Sequence, residues 1–142
     1  MPDSTQDSSE AEVSPAERYE RGLALKNAGL HKAAIDQFEM AAVDLTLIVK
    51  AYAQIGLCYK LSGCYEEAVT AFHKALKATP VSPKETVQIL YVLGRTLESL
   101  GRIADTLEAY RWIRRENAAY RDVGERIERL SARRSTVVTK KS

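Results

Sequence analysis

The sequence predicts an all-α protein, built as an α-α superhelix of three helix-turn-helix repeats and a closing helix. Three observations lead to this fold class. Small and aromatic residues recur at a nearly fixed spacing, apolar residues follow a helical period, and two matching helix-start signatures fix the phase.

The recurrence is visible when the chain is compared with itself. Every member of a first set of five residues has a counterpart 34 positions later. The first set is Gly22, Gly29, Ala34, Phe38 and Ala41, and the second is Gly56, Gly63, Ala68, Phe72 and Ala75. A third copy follows 38 positions on with Gly94, Gly101, Tyr110 and Ile113, whereas Thr106 stands where the second copy has Ala68.

Each copy has the pattern of two amphipathic helices joined by a tight turn. In the second copy, Tyr52, Ile55 and Tyr59 share one helical face, and a second stripe follows a break at Ser62-Gly63. That second stripe consists of Ala68, Val69, Phe72, Ala75 and Leu76. We expect Gly56 where the two helices approach closely, and Gly63 in the turn, because glycine adopts positive φ freely.

Two helix starts support this phase. Ser14-Pro15-Ala16-Glu17 and Ser82-Pro83-Lys84-Glu85 both place serine at an N-cap, proline at the first helical position and glutamate three residues after the cap. The second signature also accounts for the longer third spacing, since a helix that starts at Pro83 gains about one turn.

The second copy resembles a tetratricopeptide repeat. It carries that family's order of small residue, aromatic, turn glycine, alanine, aromatic, alanine and proline as Gly56, Tyr59, Gly63, Ala68, Phe72, Ala75 and Pro80. The first copy departs from the pattern with Thr46 in place of the proline, and the third departs at Thr106, Ile113 and Ala118. The resemblance implies a solenoid of three repeats followed by a capping helix.

The expected domain organisation follows from these elements. We expect a repeat domain over residues 14–132, with repeats at about 15–48, 49–82 and 83–118 and a capping helix at about 119–132. The cap is indicated by an apolar stripe with a charged opposite side, and its sequence AYRDVGERIERL resembles segments that end many bacterial arrays of this family. The acidic segment 1–13 and the basic segment 133–142 are expected to be disordered tails.

Composition limits the class of protein. A chain of 142 residues with 45% hydrophobic content fits one domain, and no apolar run approaches the roughly 20 residues that a membrane span needs. The N-terminus is acidic and rich in serine, unlike a signal peptide. Two cysteines are too few for a disulfide scaffold, so we expect a cytoplasmic protein.

The cysteines and histidines are the residues with which a metal site would have to be built. The chain offers only Cys58, Cys64, His31 and His73, and the repeat pattern places them too far apart for one ion. We therefore expect no metal and no cofactor, with Cys58 in the core and Cys64 and His73 at the surface. No catalytic constellation is recognisable, so an enzyme is not expected; a redox role for Cys64 is the alternative.

The resemblance also implies where a ligand binds. In this family the first helix of each repeat lines a concave groove, and ligand contacts lie three before, one after and four after its small residue. On this chain those positions are Tyr19, Leu23, Lys26, Ala53, Leu57, Lys60, Tyr91, Arg95 and Glu98. Only Arg95 fits the clamp for acidic C-terminal tails that co-chaperone members use, so we reject that clamp.

The predicted groove suits a peptide or amphipathic helix with at least three bulky apolar anchors. The alternative is that Leu23 and Leu57 belong partly to the core and that the groove is only a solvated face. A secondary patch is expected around Trp112, Arg111 and Arg115, unless Trp112 packs beneath the closing helix. The basic C-terminus carries few unopposed charges, so we expect neither nucleic-acid binding nor membrane insertion.

The sequence therefore predicts an adaptor that binds a segment of another protein. Two alternatives remain within the binding class. One is a bacterial secretion-type chaperone that holds an unfolded secreted partner, and the other is a structural protein that self-associates through its repeats.

Overall fold

The structure is a computed structural model that describes residues 12–78 and 81–141, with side chains described as far as Arg133. Seven helices and no strands occur in these ranges. The helices are α1 Pro15–Asn27, α2 His31–Ala41, α3 Ile48–Leu61, α4 Tyr65–Lys77, α5 Pro83–Ser99, α6 Ile103–Glu116 and α7 Val123–Lys141. The all-α solenoid expected from the sequence is confirmed.

Both predicted N-caps form. The Ser14 hydroxyl accepts a hydrogen bond of 3.1 Å from the Glu17 backbone N–H, and the Ser82 hydroxyl accepts one of the same length from Glu85. Each cap satisfies an otherwise unpaired backbone donor and stabilises its helix by about 1 kcal/mol. The longer spacing before the third copy appears as a longer helix, because α5 has 17 residues where α3 has 14.

The glycine that recurs in the first helix of each repeat has a steric cause. A Cβ atom placed on Gly56 would lie 2.5 Å from Cε1 of Phe72, so α3 and α4 approach closely only because the side chain is missing. Gly63 adopts φ of 79°, in the left-handed region, and turns the chain between these helices. The corresponding glycines of the other two copies behave in the same way.

The core is a series of clusters that follow the array. Each helix contacts mainly its neighbours in sequence, as expected for a solenoid. The second cluster of the array joins α3 and α4 to α5 through Phe72, Ile89 and Leu93, all nearly inaccessible to solvent. Thr106, which replaces the alanine of the second copy, is fully buried and donates its hydroxyl to the Arg102 carbonyl at 2.8 Å.

The last helix closes the array but differs from the expectation. Val123, Ile127 and Leu130 are buried against α6, as the apolar stripe predicts. The helix begins at Val123, because Arg121 has φ of 45° and reverses the chain there, and it continues to Lys141. The backbone over 133–141 is therefore helical, in a segment that the sequence predicts to be a disordered tail.

Most of the acidic segment 1–13 and the proline of the repeat motif, Pro80, lie outside the described residues. The domain boundaries proposed from the sequence stay predictions. Over the part of the chain that the structure describes, none of the helices combines the length and apolarity required to traverse a bilayer.

Candidate functional site

The first helices of the three pairs form one side of the array, which we call the inner face: α1, α3 and α5. A groove of about 630 Å³ lies on this face. Its apolar centre is provided by Tyr19, Ala53 and Leu57, and the Phe72 ring lies at its base. We call this cavity the inner groove.

Three of the sequence-predicted positions thus meet in the inner groove. Tyr19 packs its ring against Phe38 of its own repeat, with 5.5 Å between ring centroids, and burial raises the pKa of its hydroxyl. Leu57 is half-buried and borders the core cluster of the second repeat. Leu23 instead packs on the first-repeat core beside Phe38 and does not line the groove.

Sequence reasoning missed the polar rim of this groove. The rim consists of Lys50, Gln54, Lys84, Glu85 and Gln88. A signal was available for two of these residues, because Lys50 and Gln88 both lie six positions before the small glycine of their repeat. The positions carried over from the family began only three before that glycine and so omitted them.

Lys26, Lys60 and Arg95 lie at the other end of the inner face, toward the carboxyl ends of α1, α3 and α5. Lys26 donates a hydrogen bond of 2.7 Å to Gln54 Oε1. Burial, together with the charge of Arg95, lowers the pKa of the Lys60 ammonium. Neither Lys60 nor Arg95 has an ion-pair partner among the described side chains, so this end of the face is electropositive.

Glu98 lies on this face but is already engaged. It accepts a hydrogen bond from the Tyr110 hydroxyl at 2.9 Å, and Arg126 Nη1 forms an ion pair with it at 3.2 Å. Burial and the bond to Glu98 raise the pKa of Tyr110, so its hydroxyl stays protonated and donates. Glu98 therefore fixes α7 to the third repeat and is not available to neutralise Lys60 or Arg95.

Tyr91 differs most from its predicted place. Its place in the repeat predicts a groove residue, whereas in the structure it is buried, with 8% of its surface exposed. Its hydroxyl donates to Asp122 Oδ1 at 2.7 Å, and the Tyr120 ring packs on it edge-on. The reason is its position in the last repeat, where the closing segment covers the position that lines the inner groove in the first repeat.

The inner face continues beyond Tyr91 as a second hollow. This hollow, of about 340 Å³, shares Lys84 and Gln88 with the inner groove and extends to Glu116, Asn117 and Tyr120. A bound segment that leaves the groove past α5 would therefore contact the start of the closing segment.

The residues of the predicted secondary patch, Trp112, Arg111 and Arg115, do not lie together on one surface. Trp112 is half-buried and packs against the core formed with α7, while it also lines a crevice on the opposite, outer side of the array. Arg111 and Arg115 are exposed and do not line that crevice. The expected cluster of one tryptophan with these two arginines does not form a shared pocket.

The cysteines and histidines occupy ordinary positions in the fold. Cys58 is completely buried, and burial raises the pKa of its thiol, whereas Cys64 and His73 are exposed. His31 Nδ1 lies 3.1 Å from the Ser62 hydroxyl, across the junction of the first two repeats. No group of three metal-binding side chains occurs within residues 12–78 and 81–133.

Comparison with known proteins agrees with this architecture. Residues 49–80 match the profile of the tetratricopeptide repeat. The fold is similar to the crystal structure of MamA, with a TM-score of 0.75, 19% identity and coverage of 92% of this chain and 74% of that one. No significant match was found among curated protein sequences.

A second similar structure is that of SycD, a type III secretion chaperone of Yersinia enterocolitica, in complex with a peptide of the translocator YopD. The TM-score is 0.61 at 16% identity, and the alignment covers 89% of this chain and 94% of that one. At these identities the two structures establish the fold of the array.

Proposed function

Because residues 49–80 match the tetratricopeptide repeat and the helix pairs on either side repeat its fold, we propose that the chain is an adaptor whose inner groove holds an extended or helical segment of a partner protein. The observation that carries the proposal is the inner groove itself, in which Tyr19, Ala53 and Leu57 form an apolar centre with a polar rim. Such a surface suits bulky apolar anchors spaced along a peptide.

The charged residues around the groove indicate which charge the partner segment carries. Lys50 and Lys84 lie on its rim, and Lys60 and Arg95 lie on the same face. None of these four cations is paired with a carboxylate in residues 12–78 or 81–133. We therefore propose a partner segment that combines apolar anchors with acidic side chains, which would add attraction over a distance of about 10 Å at ordinary salt.

Energetics set the number of anchors. A well-buried apolar side chain contributes about 1.5–3 kcal/mol, whereas association costs roughly 4–15 kcal/mol. One anchor in the groove is therefore not enough, and we expect at least three anchors or two anchors with several ion pairs.

The test is quantitative affinity capture from the native cell with three versions of the protein. The wild type is compared with a groove variant, Leu57→Asp, and with a control variant, Leu45→Asp, which changes an apolar side chain that is 77% exposed in the loop before α3. We expect partners that the wild type and the control recover equally and that the groove variant loses by at least tenfold.

A fourth version covers the case in which Leu57→Asp fails to fold. Lys50→Glu with Lys84→Glu changes only exposed side chains on the groove rim, so the fold should survive. If this variant and Leu57→Asp both retain the wild-type partners at full recovery, the inner groove is not the binding site.

A secretion-type chaperone is the second candidate, favoured by the similarity to SycD bound to a translocator peptide. Co-expression would separate it from an adaptor. A chaperone should keep one otherwise insoluble secreted protein in solution at a fixed stoichiometry, whereas an adaptor should bind a partner that is soluble without it.

A further inference from the structure

The outer side of the array, formed by α2, α4 and α6, carries the same kind of crevice twice. The first crevice lies between α2 and α4, with α3 at its floor, and has a volume of about 180 Å³. The second crevice lies between α4 and α6, with α5 at its floor, and has a volume of about 450 Å³. The smaller first crevice therefore serves as the comparison, within the same chain, for the larger second crevice.

Residues at matching repeat positions explain the difference in volume. The floor of the first crevice carries Tyr52 and Tyr59, and 38 positions later the floor of the second carries Leu90 and Leu97. The tyrosine rings fill the first crevice, and the Lys74 ammonium covers Tyr52 at 5.5 Å from the ring centroid. In the second crevice, Trp112 occupies the position of that lysine.

The walls of the second crevice are apolar over most of their length. Val69 and Leu76 project from α4, and Ala109 and Trp112 from α6. On α4, His73 lies between Val69 and Leu76 on the same helical face. Ala109 and Trp112 lie three apart, so they also share one face of α6. A pocket of this volume and character is large enough to bury several apolar side chains.

The rim of the second crevice is acidic. Asp105 and Glu108 border it from α6, and both are exposed and have no ion-pair partner among the described side chains. Arg102, the nearby cation, is already paired with Glu66 at 2.6 Å. In the first crevice, Glu67 stands at the position of Asp105, and the neutral Thr70 stands at the position of Glu108.

We infer that the second crevice is a separate docking site for an amphipathic helix of a partner protein, one with an apolar stripe and a basic flank. The apolar stripe would enter between α4 and α6, and lysine or arginine on the flank would meet Asp105 and Glu108. This site is distinct from the inner groove, whose rim carries two lysines and one glutamate, so the two sites prefer partner segments of opposite net charge.

Trp112 allows a direct test, because it is the only tryptophan of the chain and lines the crevice. The probe is a designed helical peptide of about 14 residues, with leucines along one face and lysines beside them. We expect it to shift Trp112 emission with saturation in the micromolar range. The same peptide with glutamates in place of the lysines should bind at least tenfold more weakly.

Variants taken from the first crevice provide the matched controls. Leu90→Tyr with Leu97→Tyr should close the second crevice as the tyrosines close the first, and should weaken binding of the lysine peptide at least tenfold. Glu108→Thr alters only an exposed side chain and should weaken binding about threefold, as expected for the loss of one surface ion pair. Circular dichroism verifies that both variants are folded.

Three results would overturn the inference. One is equal binding of the lysine and glutamate peptides, and another is unchanged binding by both the Leu90→Tyr, Leu97→Tyr protein and the Glu108→Thr protein. The third is a shift of Trp112 emission with protein concentration alone, since a second copy of the chain would then be the occupant of the crevice.

Discussion

The hydroxyl of Tyr91 donates a hydrogen bond of 2.7 Å to Asp122 Oδ1, and this contact joins the third repeat to the segment that closes the array. Asp122 Oδ2 also accepts a hydrogen bond of 2.8 Å from Arg126 Nε, and Arg126 reaches Glu98. The connected polar side chains hold the closing helix at one fixed position on α5. The contact also removes Tyr91 from the surface that a ligand can reach.

Removal of the Tyr91 hydroxyl should destabilise the protein. Tyr91→Phe keeps the buried ring but leaves Asp122 without this donor, so the free energy of unfolding should fall by about 1 kcal/mol. The matched control is Tyr52→Phe, because no described side chain bonds to the Tyr52 hydroxyl, and its change should stay below about 0.5 kcal/mol. Chemical denaturation of the three proteins measures both values.

The Asp122 carboxylate predicts a dependence of stability on pH. The hydrogen bond from Tyr91, together with Arg126, lowers the pKa of Asp122 in the folded protein. A lowered pKa stabilises the fold above the pKa of the unfolded chain and loses that effect as the pH falls through the folded value. Asp122→Asn should therefore lower the melting temperature at pH 7, and the difference from the wild type should shrink in acid. An equal difference at every pH would contradict this account.

Two glycines form a matched pair for the packing of the repeats. A Cβ atom on Gly56 would overlap the Phe72 ring, whereas one on Gly124, in α7, meets nothing within 4 Å. Gly56→Ala should destabilise the protein by about 1–3 kcal/mol through overpacking. Gly124→Ala should instead stabilise it by up to about 1 kcal/mol, because alanine favours a helix. Thermal unfolding of the two variants gives opposite signs if the packing is as described.

The two thiols should react in separate phases. Cys64 is exposed, whereas Cys58 is fully buried and its pKa is raised by that burial. A thiol reagent should modify one cysteine per chain in the folded protein and the second only after unfolding. The rate at Cys64 also addresses the redox alternative, since a rate well above that of a small-molecule thiol would indicate an activated cysteine.

Sequence periodicity was sufficient to predict the array because its signals are local. Gly56 is required by its contact with Phe72 and Gly63 by the positive φ of the turn, both inside one helix pair. Ser14 and Ser82 are required by the first turn of the helix that each precedes. Such features recur in register, so one copy predicts the others. The burial of Cys58 follows from the same register.

The burial that a following element imposes on a residue was harder to predict. Tyr19 and Tyr91 are equivalent in sequence, but Tyr19 is followed by another repeat and Tyr91 by the closing segment. Periodicity treats them alike, and only the tertiary contact with Asp122 separates them. The same limit applies to Trp112, whose crevice depends on the leucines of a neighbouring helix.

The central claim is that a partner segment lies in the inner groove, and crosslinking tests it most directly. A photoreactive phenylalanine analogue is introduced at Leu57 and, in a separate protein, at Leu45 on the loop before α3. We predict that irradiation in the native cell joins position 57 to one partner segment that contains both apolar and acidic residues, whereas position 45 gives no such product. Crosslinks of that partner to position 45 with none at position 57 would contradict the account.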